Sequence, residues 1–234
     1  MPNIVTVLQN RLHSHKDAIL YLEDGEKETT RLSYEELDLG ARAIAALLQA
    51  NNMAGKCVAL LYPTGTEFIT SLLGCWYANV IAVPIHCPLL EECLTHQALW
   101  HTIADDAKIA TVLTLDTYCS TIEPLFEVPV VATDSVNKKI AKNYQPAVIS
   151  EETIAYLQYT SGSTATPKAA VVTHGNLQHS LKETIKAWHY TKNSITLNWA
   201  PHTHVYGLVC GLLVPLYHGT LAIIMPPATF IKKP

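Results

Sequence analysis

Cys57-Val58-Ala59-Leu60-Leu61-Tyr62 is a short, almost wholly apolar run. It is followed by Pro63 and Gly65, then by a helical pattern over Glu67–Tyr77, then by Val80-Ile81-Ala82-Val83-Pro84-Ile85, a second apolar run. Runs of this length with little polar alternation fit strands covered on both faces, and a helix between two of them fits a crossover joining parallel neighbours. Outward from this unit the alternation continues. A helix is expected over Leu89–Thr102, a strand over Ala110–Thr114, a short helix, and a strand over Val128–Ala132. Upstream, Leu37, Ala41, Ile44 and Leu48 recur at helical spacing, with Ser33 and Glu36 placed as a capping box, so a helix is expected from Ser33 to Ala50. The expected fold class is α/β: a parallel-rich sheet with helices on both faces and ligands at the carboxyl ends of its strands.

The expected organisation is a first α/β block over 1–133, an exposed connection over 134–152 carrying Lys138, Lys139, Lys142 and Pro146, and a second block over 153–234. In that second block strands are expected at Ile154–Tyr159, Ala169–Thr173, Ile195–Trp199 and Thr220–Met225. Helices are expected from Thr173, as cap, to His189 and over Gly207–Leu216.

Composition narrows the function classes. The chain has 234 residues, 49% hydrophobic and 15% charged, with a net charge of -4 and no run of basic residues, which disfavours nucleic acid as a partner. Phe68–Ile85 and Val205–Met225 are apolar, but Thr70, Ser71, Asn79, Pro84, Pro215 and His218 interrupt them. Each reads as a buried helix entering a buried strand rather than a membrane span. The six cysteines form no C-x-x-C pair, and the N-terminal residues lack a secretory pattern, so a cytoplasmic protein with reduced thiols is expected.

The segment Tyr159-Thr160-Ser161-Gly162-Ser163-Thr164-Ala165-Thr166-Pro167-Lys168 carries the chemistry. Hydroxyls and successive backbone N–H groups supply donors, Gly162 lets backbone approach a bulky anion, and Lys168 adds a mobile positive charge. Such runs are most often plain solvated loops, but strand-like segments clamp this one at both ends. It is neither a Walker loop nor a dinucleotide fingerprint.

These residues resemble the signature loop of the adenylate-forming superfamily: acyl-CoA synthetases, luciferases, adenylation domains and fatty-acyl-AMP ligases. Leu157-Gln158-Tyr159-Thr160-Ser161-Gly162-Ser163-Thr164, Thr166-Pro167, Val171–His174 and Asn176-Leu177 resemble the fatty-acyl-AMP ligase form. So do Leu60–Pro63, Phe68, Leu73–Ala78 and Ala82–Pro84. A second motif, Trp199-Ala200-Pro201-His202-Thr203-His204-Val205-Tyr206-Gly207-Leu208, resembles the family segment in which a His stands three residues before a Gly near the acyl site. His204 is the match. A lone His in an apolar region is more often a core or helix-cap residue, and only the pairing of the motifs favours the functional reading. His202 and His204 lack a nearby Cys, Asp or Glu in sequence, so they suggest no zinc shell.

The resemblance implies ATP-dependent activation of a fatty acid to an acyl-adenylate, passed to a pantetheine thiol of acyl carrier protein or coenzyme A. It implies ATP and Mg²⁺ as cofactors. Phosphate binding falls to Thr160, Ser161, Gly162, Ser163, Thr164 and Lys168, with Thr164 also a Mg²⁺ ligand, and catalytic roles fall to Lys168 and His204. Departures qualify it. Ala165 and Ala169 replace glycines, Val205 replaces an acidic residue, and Lys168 is closer to acyl-CoA synthetases. The later acidic motif, the ribose-gripping Asp and the C-terminal domain with its Lys have no counterpart here. The expectation is therefore an incomplete part of such an enzyme, inactive alone: either its N-terminal part cut from a longer chain or one half of a split protein whose C-terminal half is a partner. The alternative is a non-catalytic truncated module with at most weak nucleotide binding.

Overall fold

The computed structural model describes residues 3–11, 16–160 and 167–232. Helix α1 (Ile4–Gln9) precedes strands β1 (Asp17–Leu22) and β2 (Glu28–Ser33). Helix α2 (Tyr34–Ala50) begins where expected. Ser33 accepts from the Glu36 amide while the Glu36 carboxylate accepts from the Ser33 amide, closing the capping box. Strand β3 (Cys57–Tyr62), helix α3 (Thr66–Tyr77) and strand β4 (Ile81–His86) form the central crossover, with β3 and β4 parallel and in register from Cys57/Ile81 to Tyr62/His86. Next come α4 (Gln97–Ala107), β5 (Ile109–Thr114), α5 (Asp116–Ile122) and β6 (Val130–Ala132). They are followed by β7 (Ile154–Thr160), β8 (Lys168–Thr173), α6 (His174–Ala187), β9 (Ile195–Asn198), α7 (Val214–His218), β10 (Leu221–Ile224) and α8 (Pro227–Lys232).

Six strands are ordered β6-β5-β3-β4-β7-β8, all parallel except the β7–β8 edge pair. Successive β3 side chains divide between two cores. Val58, Leu60 and Tyr62 meet α2 and α3, whereas Ala59 and Leu61 meet α4 and α5 through Trp100, Ile103 and Ile122. Helices thus cover both faces, as expected, and the two long apolar stretches are buried helices entering buried strands. No described helix is long and apolar enough to cross a membrane.

A second sheet, β2-β1-β10-β9, pairs the beginning of the chain with its end. Strand pairing therefore crosses the 134–152 connection in both directions. β7 and β8 extend the sheet of the first block, and β1 and β2 extend a sheet whose other strands lie in the second. The connection itself includes a 3₁₀ helix, Lys138–Asn143, packed on α2.

Two helices depart from their expected form. Leu90–His96 is 3₁₀, and α4 starts only at Gln97, because His96 at the junction has φ -98° and ψ -3°. The expected helix after Gly207 opens with a π-helical stretch, Tyr206–Leu213, before α7.

Candidate active site

Strands β3, β4 and β7 run parallel, so Tyr62, His86 and Thr160 stand at one end of the sheet, the carboxyl end where ligands collect in α/β folds. β7 and β8 bring the ends of the hydroxyl-rich segment together: Thr160 lies opposite Lys168 and Tyr159 opposite Ala169. Lys168 is exposed on the rim. Ser161, Gly162, Ser163, Thr164 and the Thr160 side chain, assigned to phosphate and Mg²⁺, lie outside the described residues, as does Ala165.

The second motif occupies the turn between β9 and the π-helical stretch. Asn198, buried at the end of β9, accepts from the Ala200 amide and donates to the carbonyls of Ala200 and Gly207. The His204 amide closes onto Pro201 O at 3.0 Å. A Cβ at Gly207 would stand 2.2 Å from the Pro201 carbonyl oxygen, and one at Gly211 would stand 2.2 Å from Asn198 Nδ2. The spacing of three between His204 and Gly207 thus has a packing reason: only a bare backbone fits where the helix starts against its own preceding turn.

His204 is exposed, and its Nδ1 accepts from the Tyr206 amide at 3.2 Å. The ring thus holds the first backbone amide of the π-helical stretch, one residue ahead of its N-cap Val205. An accepting Nδ1 leaves the neutral ring protonated on Nε2, so the free edge of this imidazole is a hydrogen-bond donor. His202 has the opposite environment. It is buried, stacked on Phe68 with centroids 4.0 Å apart, and its burial pulls the imidazole down to about 4. His202 is therefore a neutral packing residue that anchors the turn to α3, a role its sequence neighbours did not signal.

Two sequence motifs far apart in the chain meet here. Tyr159 and Pro167, which bracket the hydroxyl-rich segment, line one cleft of about 220 Å³ with Thr203, the neighbour of His204, and with Pro84, Ile85, His86, Leu99 and Ile103. A cavity of about 400 Å³ adjoins it through shared His86 and Thr203. The Gln158 side chain joins the motifs directly, its Nε2 donating to Thr203 O at 2.8 Å. A further cavity of about 270 Å³ beside α2 and α3 shares no lining residue with this cleft. Among the described residues no three His, Cys, Asp or Glu side chains gather as a metal shell.

Residues 8–234 match the family of AMP-binding enzymes. The chain belongs to that family. Among AMP-binding enzymes, it is 39% identical over 99% of its length to the medium-chain-fatty-acid–[acyl-carrier-protein] ligase JamA of Moorena producens. It is 32% identical over 87% of its length to the long-chain-fatty-acid–AMP ligase FadD32 of Mycolicibacterium smegmatis. A solved fatty acyl-adenylate ligase from L. pneumophila, in complex with acyl adenylate and pyrophosphate, superposes with a TM-score of 0.92 at 37% identity over 99% of the chain. The chain spans only 41% of JamA, 33% of FadD32 and 41% of the L. pneumophila ligase.

Proposed function

We propose that this chain is the N-terminal part of a ligase that activates a fatty acid as its acyl-adenylate. The carboxylate oxygen attacks the α-phosphorus of ATP, a P–O bond forms, and pyrophosphate leaves with the electron pair. A pantetheine thiol, on acyl carrier protein or coenzyme A, then attacks the acyl carbonyl in a reducing cytoplasmic compartment: a C–S bond forms, AMP leaves with the electron pair of the broken C–O bond, and the thiol proton passes to water. ATP would sit with its phosphates on the Thr160, Ser161, Gly162, Ser163, Thr164 and Lys168 group. Mg²⁺, with Thr164 among its ligands, would supply charge neutralisation at the triphosphate when bound. Positioning and charge neutralisation account for most of the catalysis in such a displacement. His204 would offer its Nε2–H to an oxygen of the acyl half.

The single observation that carries this reading is the convergence of Tyr159, Pro167 and Thr203 on one cleft. An apolar wall from Pro84, Ile85, Leu99 and Ile103 beside a phosphate-type segment suits a ligand with an apolar and an anionic part.

An uncovered sheet face supports incompleteness. On β9, Ile195 is 63% and Leu197 57% exposed, although β9 pairs in parallel with β10 and parallel sheets ordinarily bury both faces. Further polypeptide, of the length that the relatives possess, would cover that face.

Fatty-acid-dependent exchange of pyrophosphate into ATP tests the reading. The 234-residue chain alone is expected to show none. A chimera joined after Pro234 to the remaining part of the L. pneumophila ligase is expected to show it, and to lose at least tenfold on Lys168→Ala. A folded chimera without exchange would favour the second reading, a non-catalytic module, for which Ala169 and Val205 at positions usually Gly and acidic are the supporting observations.

A further inference from the structure

Gln158 sits in β7, two residues before the end of that strand, with only 8% of its surface exposed. It shares a face of β7 with Tyr156, which belongs to the main apolar core. An apolar side chain would satisfy that position by packing alone. Instead a carboxamide reaches across to the turn before the π-helical stretch and donates to Thr203 O. Its Oε1 is buried and has no hydrogen-bond partner among the described residues. A buried amide with an uncommitted acceptor is costly where nothing but packing is required, so its retention calls for a reason.

The reason lies in what the bond connects. β7 leads directly into the phosphate-type segment, and its partner β8 returns with Lys168. Thr203 lies between His202, pinned by stacking on Phe68, and His204, whose Nδ1 caps the Tyr206 amide. Asn198 braces the same turn from the β9 side. Gln158 thus supplies a side-chain bond that runs from the strand of one motif to the turn of the other.

We propose that Gln158 is a positioning residue: its carboxamide holds the Thr203 carbonyl and so sets the register between the phosphate half and the His204 half of the site. This register matters to the chemistry only on the adenylation reading, because the carboxylate and the α-phosphorus must be held within about 0.5 Å of their productive geometry. The brace itself stands without that reading.

The test uses the whole 234-residue chain labelled with ¹⁵N, as wild type and as Gln158→Met, which keeps length and apolar volume but loses the donor. In the wild type the His204 ring should show a single Nε2–H tautomer, with slow exchange of the His204 and Leu208 amides, which donate to Pro201 O and His204 O. In Gln158→Met those amides should lose at least tenfold in protection and the His204 ring should average between tautomers. His174, His202 and the α2 amides should stay as they are, which a general loss of stability would not permit. If Gln158→Met does not fold, Gln158→Asn, one methylene too short to reach, is read in the same way. A folded variant whose His204 ring and turn amides stay within twofold of wild type overturns the proposal.

A calorimetric arm separates the proposal from the function it serves. An acyl-sulfamoyladenosine, which spans both halves, should bind at least tenfold more weakly to the variant, and ATP alone within twofold. Equal losses for both ligands would contradict a register role. Binding of neither by the wild type would count against the adenylation reading, while the His204 spectra still decide the brace.

Discussion

His174 and His202 are imidazoles that burial holds well below their ordinary value of 6.5, each at about 4. Above about pH 6.5 folded and unfolded chains both carry neutral rings there. As the pH falls toward about 4, the unfolded chain binds protons that the folded chain refuses, and stability drops by on the order of 3 kcal/mol per ring. Urea unfolding at pH 7 and pH 5 should show about 2 kcal/mol of this drop per ring. The double variant His174→Gln/His202→Gln should show a clearly smaller one, and parallel losses in both proteins would refute the assignment. Of these two rings, sequence pointed to neither as buried: a His between Pro201 and Thr203 carries no mark of the Phe68 ring that will stack on it. His204 was legible as the motif residue, but its capping bond to the Tyr206 amide depends on a turn geometry that spacing alone does not give. Gln158 was visible within the motif, yet its partner is 45 residues away, so its role could be seen only in three dimensions.

The elements themselves were more legible where local chemistry decides them. The capping box at Ser33 and Glu36 fixes the start of α2, and Thr173 caps α6 through Asn176 in the same way. Ser33→Ala should cost about 1 kcal/mol in urea unfolding, and a cost below about 0.3 kcal/mol would mean that the box adds little. Less legible were β1 and β2. The partners of β1 in β10 are some 200 residues downstream, and β2 is a polar edge strand with little alternation to read. The π-helical form of Tyr206–Leu213 was likewise hidden, although the close packing of its first turns is local: the backbone at Gly207 and Gly211 lies against Pro201 and Asn198. Gly207→Ala should destabilise by about 2 kcal/mol or more through forced displacement of the Pro201 carbonyl. A Gly207→Ala protein with unchanged unfolding midpoint would contradict that packing.

At the scale of the molecule, alternation along the sequence gave the fold class, while strand order stayed hidden because it depends on pairing between distant segments. The two sheets each draw strands from both sides of residues 134–152, which ties the beginning and end of the chain into one another. The open β9 edge and its exposed Ile195 and Leu197 should make the isolated chain prone to self-association. Leu197→Lys should raise its solubility with less than about 0.5 kcal/mol change in unfolding free energy, as judged by light scattering and urea titration. On the proposed function, the phosphate-type segment and the His-bearing turn form one nucleotide site at the carboxyl end of the larger sheet. An amide NMR titration of the chain with Mg·ATP tests it most directly. Shifts should concentrate at Tyr159, Thr160, Lys168, Ala169, Thr203 and His204. Shifts confined to the cavity beside α2 and α3, or none at those six residues at millimolar ATP, would contradict it.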